Sequence, residues 1–333
     1  MVELSCVIFL AFFLDLFFGD PGYRLHPIRM IGHGIAFFEK ILRRIGLDRR
    51  VGGILLVLLI ETASLTAYLA VSLGLYRIYR PLGLGFDLFI CYSCLALKDL
   101  ISHITPVIDA LENGNLSVAR QKIAMVVGRN VRYLDQNGVS RAAVETLGEN
   151  FVDGFLSPFL WYMAGGILGH FLGFSPIKTA LSIMLGFKVI STLDSMVGYK
   201  NPHFFEFGWA GARLDDLMNF IPARLSLVIL FAGAWASGLH PLEGLRTALR
   251  DRLKHDSPNA AHAEAFVAGT LRIRLGGPTR YTDGLRGKPW LGLSDVDPGP
   301  EHITKTILLL KHSAWITIVI PLCILLLSKA TPL

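Results

Sequence analysis

The chain alternates long apolar runs with polar stretches rich in charge, glycine and proline. The first run, Leu4 to Phe18, has Glu3 before it and Asp15 near its end. It lacks the basic leader and small-residue cleavage site of a secretory signal, so it reads as a retained first membrane segment. Val51 to Tyr76 is the clearest span, closed by Arg49 and Arg50 on one side and by Arg77 and Arg80 on the other. About 20 apolar residues suffice to cross a bilayer. Glu61 lies inside this span, where a carboxylate must be paired, neutral or facing a polar cavity; a packing role and a chemical one are both open. Leu84 to Leu97 is shorter and reads as a span, a re-entrant piece or a buried helix. Phe155 to Phe174 and Ile177 to Ile190 flank the helix-breaking pair Ser175-Pro176, which predicts a tight helical hairpin with a short second arm. Phe220 to Leu239 and Ile307 to Leu327 complete the set. The pattern predicts an all-α, multi-pass transmembrane helical bundle, with some segments re-entrant. It forms one integral membrane domain over 1–333, with long polar segments at about 19–50, 98–153, 191–217 and 240–305.

Composition agrees with this pattern. Of 333 residues 52% are hydrophobic and only 17% charged, against about 25% charged in an ordinary globular chain. A soluble enzyme and a disordered binder are both disfavoured. Lys+Arg 32 less Asp+Glu 26 leaves +6, a surplus that suits anionic lipid or an anionic ligand. No nucleic-acid partner is expected, because no finger, recognition helix or continuous basic stripe is present. The basic segments 24–50, 120–141 and 246–288 belong on the cytoplasmic side. That requires 84–97 to cross and one of the three apolar runs between 152 and 240 not to. Of the four cysteines, Cys91 and Cys94 have a CxxC spacing but no second pair and no histidine at ligand spacing, so they read as structural.

The polar segments carry the candidate chemistry. Leu116 begins a helix after Gly114-Asn115, and Ser140 is placed to cap the next one. Glu145, Glu149 and Asp153 in that next helix are spaced by four, which puts three carboxylates on one stripe. Like charges stacked this way call for solvent, a basic partner or a divalent cation, and Asn150 beside them offers an amide to an oxyanion. A second island runs from Thr192 to Asn201 and on to Arg224. It gathers Asp194, Lys200, Arg213, Asp215 and Asp216, the mixture that a magnesium-phosphate site needs, or else a set of interfacial anchors. Near the front, Gly19-Asp20-Pro21 and His26-Pro27-Ile28-Arg29 place His26 as a proton carrier or a structural hydrogen-bonder, and Arg29 as an anion contact. Gly276-Gly277-Pro278 is a turn whose N–H groups are expected to be accessible to an anion. P-loop, dinucleotide, HExxH, Gly-x-Ser-x-Gly and EF-hand strings are all missing.

Taken together, several separated strings resemble the CobD/CbiB family, the adenosylcobinamide-phosphate synthases. They are Asp15-Leu16-Phe17-Phe18-Gly19-Asp20-Pro21 with His26-Pro27-Ile28-Arg29; Glu145-Thr146-Leu147-Gly148-Glu149-Asn150 with Asp153-Gly154 and Ser157-Pro158; Thr192 to Asn201; Phe207-Gly208-Trp209 with Ala212-Arg213-Leu214-Asp215-Asp216; Ser257-Pro258-Asn259-Ala260; and Arg274-Leu275-Gly276-Gly277-Pro278. The resemblance implies a multi-pass inner-membrane ligase of cobalamin biosynthesis. Such an enzyme joins the propionate carboxylate of adenosylcobyric acid to (R)-1-amino-2-propanol or its O-phosphate, using ATP as cosubstrate and Mg2+. It further implies corrinoid and aminopropanol partners, membrane lipid around the chain, and contacts with other enzymes of the pathway. On this scheme magnesium falls to Glu145, Glu149 and Asp153 or to Asp215 and Asp216. Arg29, Lys200 and Arg213 contact phosphate or carboxylate, Asn150 and Asn259 orient, and Asp194 or His26 takes the proton from the amine. A corrinoid transporter and a non-catalytic scaffold are the competing readings.

Overall fold

The computed structural model describes residues 2–20, 23, 25–128, 130–281 and 284–330. Fourteen α-helices are described: α1 (Val2–Phe18), α2 (Pro27–Arg44), α3 (Arg50–Ile78), α4 (Arg80–Ser93), α5 (Leu97–Glu112), α6 (Leu116–Ile123), α7 (Gln136–Phe151), α8 (Ser157–Phe171), α9 (Pro176–Val197), α10 (Trp209–Met218), α11 (Phe220–Ala236), α12 (Pro241–Asp251), α13 (Ala260–Leu271) and α14 (Pro300–Ala330). A π-helical turn, Val152–Leu156, joins α7 to α8. The only strands among the described residues are short: β1 (Leu275–Gly276) pairs antiparallel with β4 (Trp290–Leu291), and β2 (Thr279–Tyr281) with β3 (Gly284–Arg286).

Four helical runs are long and apolar enough to cross a membrane: Arg50–Ile78, Gln136–Phe171, Pro176–Val197 and Pro300–Pro321. The bent pair of α10 and α11 makes a fifth if counted as one broken span. Spans built of helices, which satisfy their own backbone within lipid, make this a multi-pass inner-membrane protein. The expected all-α bundle with a re-entrant or broken element is what forms. α4 has 14 residues, about 21 Å of helix against a hydrocarbon core of about 30 Å, so the crossing required of 84–97 is not met by length.

Three local expectations are corrected. Ser140 is not a cap but a buried interior residue. The helix starts four residues earlier, at Gln136, because the Asp135 side chain accepts the Gly138 N–H at 2.7 Å. The second arm of the hairpin is not short: α9 runs 22 residues, past Ile190. At its polar end the hydroxyls of Thr192 and Ser195 are satisfied on carbonyls of their own helix, those of Lys188 (2.6 Å) and Thr192 (2.9 Å). The stripe of Glu145, Glu149 and Asp153 does not continue on one α-helical face, because Asp153 falls in the π turn and is rotated out of the i,i+4 phase. Pro158 supplies a reason for that turn: without an N–H it cannot close the α-helical bond to residue 154.

The chain divides into two compact units, residues 1–96, 157–219 and 322–333, and residues 97–156 and 220–321. In the first, α9 packs against α2, α3, α4, α8 and α10. The α8–α9 hairpin closes on glycine: a Cβ on Gly165 would stand 2.8 Å from the Ala180 Cα, and one on Gly169 would stand 2.7 Å from the Thr179 Oγ1. Asp87 on α4 is fully buried and bridges three helices. It accepts from Tyr68 (3.1 Å), Ser72 (2.7 Å) and Tyr76 (2.9 Å) of α3, and from Lys178 of α9 (2.7 and 2.9 Å). Lys178 also donates to Ser72 and stands 3.9 Å from the Tyr76 ring centroid. Glu61 on α3 faces the glycine gap at Gly186 of α9, 3.4 Å from where a Cβ would be, and its Oε1 makes no hydrogen bond.

In the second unit α13 is the centre, with all twelve of its residues buried against α7, α11, α12 and the β1–β4 ladder. Gly244 of α12 and Gly269 of α13 bring those backbones together: a Cβ on Gly269 would stand 2.4 Å from the Thr247 Oγ1.

Candidate functional site

Each unit carries a polar centre. In the first unit His26, buried at the start of α2, pairs with Asp20 (Nε2 to Oδ1, 3.0 Å), while the exposed Arg29 stands 3.9 Å from the other oxygen of Asp20. Pro21 of this turn lies outside the described residues. Pro27 at the first helical position fixes φ where no N–H is needed and so sets His26 at the helix entrance. Asp194, near the end of α9, has Asp216 and Lys200 as its charged neighbours. Asp215 accepts from Asn219 (3.1 Å), whose Oδ1 in turn accepts from Ser157 (2.7 Å). Arg213 is exposed on α10. The island read as one phosphate-magnesium set is thus spread along the end of α9, the loop after it and α10.

In the second unit a small cleft of about 90 Å³, open to solvent, lies between α7, α13 and the strands. Its charged lining is Glu145, Lys254, His255, Asp256, Glu264 and Lys288. Three carboxylates against two lysines, with histidine neutral, leave the lining at −1. A bare phosphate is not favoured by that balance, whereas a phosphate carrying a divalent cation, or an ammonium group, is. Glu145 and Glu264 are both buried, one on α7 and one on α13. Among the described residues no three His, Cys, Asp or Glu side chains gather closely enough to form a metal site by themselves. Magnesium ordinarily takes only one or two carboxylates and completes its shell with water and phosphate oxygens, so the oxygen donors present fit it.

The glycine turn at the cleft is arranged differently from the expectation. Gly276 and Gly277 adopt φ of 72° and 76°, as a turn open only to glycine. Their N–H groups are not turned to an external anion: Gly276 donates to the Glu145 Oε1 at 2.7 Å and Gly277 to the Pro289 carbonyl at 3.2 Å. The anion held by the first of them is therefore the protein's own Glu145, which is locked in place on the cleft wall.

Two carboxylates hold the wall that carries Lys288. Asp297 accepts from Arg141 (2.5 Å) and, with both oxygens, from Arg274 (2.9 and 2.8 Å). The two guanidinium groups lie 4.6 and 4.5 Å from the Trp290 ring centroid. The Arg274 hydrogen bonds, aided by Arg141, hold the Asp297 carboxyl at about 2 despite burial. Asp251 takes Arg250 (2.7 and 2.5 Å), Lys254 (2.7 Å) and the Gly292 N–H (2.9 Å). Burial pushes its carboxyl up, but these hydrogen bonds outweigh it and keep it at about 2. Lys254 also donates to the Trp290 carbonyl (3.2 Å).

Of the residues singled out from the sequence, Glu145 and Gly276 line this cleft. Asn259 is buried at the entrance of α13, where its Oδ1 accepts from Arg224 at 3.4 Å. Burial, then the nearby Arg224 charge, hold the His262 imidazole below its ordinary value. Glu149 is half-buried and Asn150 exposed on α7, with Asp153 half-buried in the π turn. Lys254, His255, Asp256, Glu264 and Lys288 were not among the candidates. The charged run Lys254-His255-Asp256 directly before Ser257-Pro258-Asn259 was the available signal.

Fold and cleft together define a helical, multi-pass membrane protein with charged residues gathered in polar centres. Residues 8–310 match the family described as CobD/Cbib protein, and the chain belongs to that family. Among curated relatives it is 41% identical over 286 residues to cobalamin biosynthesis protein CobD of Pelobacter propionicus, covering 86% of this chain and 84% of the relative. It is 36% identical over 332 residues to the CobD protein of Rhodobacter capsulatus, at 98% and 99% coverage. Cobalamin biosynthesis protein CbiB of Salmonella typhimurium is 34% identical over 324 residues, 96% of each chain. No solved structure matches. Membership of this family gives the chain a role in cobalamin biosynthesis.

Proposed function

We propose that the chain catalyses ATP- and magnesium-dependent amide formation between the propionate carboxylate of adenosylcobyric acid and (R)-1-amino-2-propanol or its O-phosphate. The product is adenosylcobinamide or its phosphate. The observation that supports this reading is the cleft of the second unit, lined by Glu145, Glu264, Lys254 and Lys288 in a member of the CobD/CbiB family. A carboxylate at neutral pH has no leaving group, so the propionate must be activated before an amine can displace anything from it. Transfer of the terminal phosphoryl group of ATP to a propionate oxygen gives an acyl phosphate and ADP. Attack by the amine nitrogen then forms the C–N bond, phosphate leaves, and the amine gives up a proton.

Glu145 and Glu264 are assigned to magnesium, with Asp256 at the rim; magnesium supplies charge neutralisation of bridging phosphate oxygens. Lys288 and Lys254 hold phosphoryl oxygens. Glu149, Asp153 and Asn150 on the same helical run, and Asn259, keep supporting roles in this unit. The alternative reading places the same step wholly in the first unit, with Asp194 or His26 to take the amine proton. Lys200, Arg213 and Arg29 are the anion contacts there, and Asp215 and Asp216 are the alternative magnesium carboxylates. The purified protein in lipid nanodiscs, given adenosylcobyric acid, magnesium-ATP and either amine, is expected to yield amide product and ADP in equal amounts. Product formed without nucleotide, or none formed by folded protein with intact substrates, refutes the reading and favours a transporter or a scaffold.

A further inference from the structure

The exposed surface of the second unit carries an apolar ridge that runs along one span and onto the helix after it. On α11 the outward positions Ile221, Leu225, Val228 and Trp235 recur at spacings of four, three and seven, and Trp235 is 78% exposed at the end of the helix. An exposed tryptophan at the end of an apolar helix marks the bilayer interface. The chain reverses there at once. Gly238, at φ 67°, closes the helix with its N–H on the Trp235 carbonyl and the Leu239 N–H on the Ala234 carbonyl, and α12 begins at Pro241. The five steps from Ala236 to Pro241 reach at most about 17 Å, so α12 starts close to the level of Trp235.

α12 is strongly amphipathic. Its buried positions, Gly244, Thr247, Ala248 and Asp251, pack inward, while Leu242 (59% exposed), Leu249 (51%) and, two residues past the helix end, Leu253 (73%) form one outward stripe. Both acids of the helix are already neutralised: Glu243 by a two-pronged pair with Arg272 (2.7 and 2.5 Å), and Asp251 by Arg250 and Lys254. Arg246, exposed on the leucine stripe, and Arg252 beside it supply the surplus charge of this face. Leucines flanked by arginines, next to an interfacial tryptophan, match the acyl-headgroup boundary of an anionic bilayer.

We propose that α12 lies in the membrane interface, with Leu242, Leu249 and Leu253 among the upper acyl chains of an anionic phospholipid leaflet and Arg246 and Arg252 against its phosphates. Because Lys254, His255 and Asp256 follow directly, this anchoring sets that lip of the charged cleft at headgroup level. It rests on the surface of the second unit and not on the ligase reading.

The test uses the full chain with its exposed thiols replaced (Cys6→Ser, Cys323→Ser) and a nitroxide attached in turn at Leu242→Cys, Arg246→Cys, Leu249→Cys and Leu253→Cys. All four sites are exposed, so the label displaces nothing in the core. In nanodiscs of phosphatidylcholine and phosphatidylglycerol at 7:3, accessibility to oxygen over a water-soluble nickel chelate should be severalfold higher at 242, 249 and 253 than for the same nitroxide free in water, placing the three leucines about 5–10 Å inside the interface. In phosphatidylcholine alone all four labels should become shallower. Water-like accessibility at the leucines overturns the proposal. So does dipolar broadening between labels at 249, which would mean a second copy covers the stripe. Equal depth in both lipids overturns the dependence on an anionic leaflet.

Discussion

Glu145 has a double bond to its surroundings: it accepts the Gly276 N–H on the cleft wall and contributes a buried negative charge to that cleft. Glu145→Gln keeps an acceptor for Gly276 and removes only the charge. Turnover is expected to fall at least about 100-fold while the melting temperature stays within a few degrees, as read by product formation and thermal unfolding side by side. An equal loss of folding would assign Glu145 to structure alone. Asp251 belongs to the frame around it. Its folded-state pKa, about 2 against an ordinary 3.8, means that the unfolded chain takes up a proton first as pH falls. The stabilisation is therefore complete above pH 4 and is lost between pH 4 and pH 2; it is worth on the order of 1–2 kcal/mol. Asp251→Asn should lose about that much at pH 7 and show a flatter stability profile below pH 4. An unchanged profile would show that the hydrogen bonds to Arg250, Lys254 and Gly292 do not stabilise the charged form.

Among the elements, Asp87 and Lys178 tie α4 to α3 and α9 inside the apolar part of the first unit. Removing one member strands the other in a low-dielectric site, whereas removing both leaves mainly a packing change. Lys178→Met is expected to cost about 3–5 kcal/mol, and Lys178→Met combined with Asp87→Asn to recover most of it, measured by denaturation in detergent; additive losses would contradict the pairing. Neither residue stood out in the sequence, since Asp87 sits in a short apolar run and Lys178 follows Ser175-Pro176 without a partner at helical spacing. The elements themselves were far more legible. Runs such as Val51–Tyr76 and Ile307–Leu327 announce helices because lipid leaves apolar side chains on every face, with no need for a partner to explain them. Boundaries set by hydrogen bonds were less so: Asp135 rather than Ser140 caps α7, by geometry that composition does not display.

For the whole molecule, the family was readable because its strings are spread from Asp15 to Pro278 in order, and the match over residues 8–310 bears that out. The cleft was not readable, because its charges come from α7, the turn after α12, α13 and the strand segment, which meet only through tertiary packing. Of the two glycines that looked like an anion cradle, Gly276 holds Glu145, a contact 131 residues apart in sequence, and Gly277 the Pro289 carbonyl. The central claim is that the propionate is activated by phosphorylation, and isotope transfer tests it most directly. With adenosylcobyric acid carrying 18O in its free carboxylate, the account predicts that each amide formed by the purified protein is accompanied by one inorganic phosphate bearing a single 18O. Amide product accompanied by unlabelled phosphate, or by 18O in AMP, would contradict it.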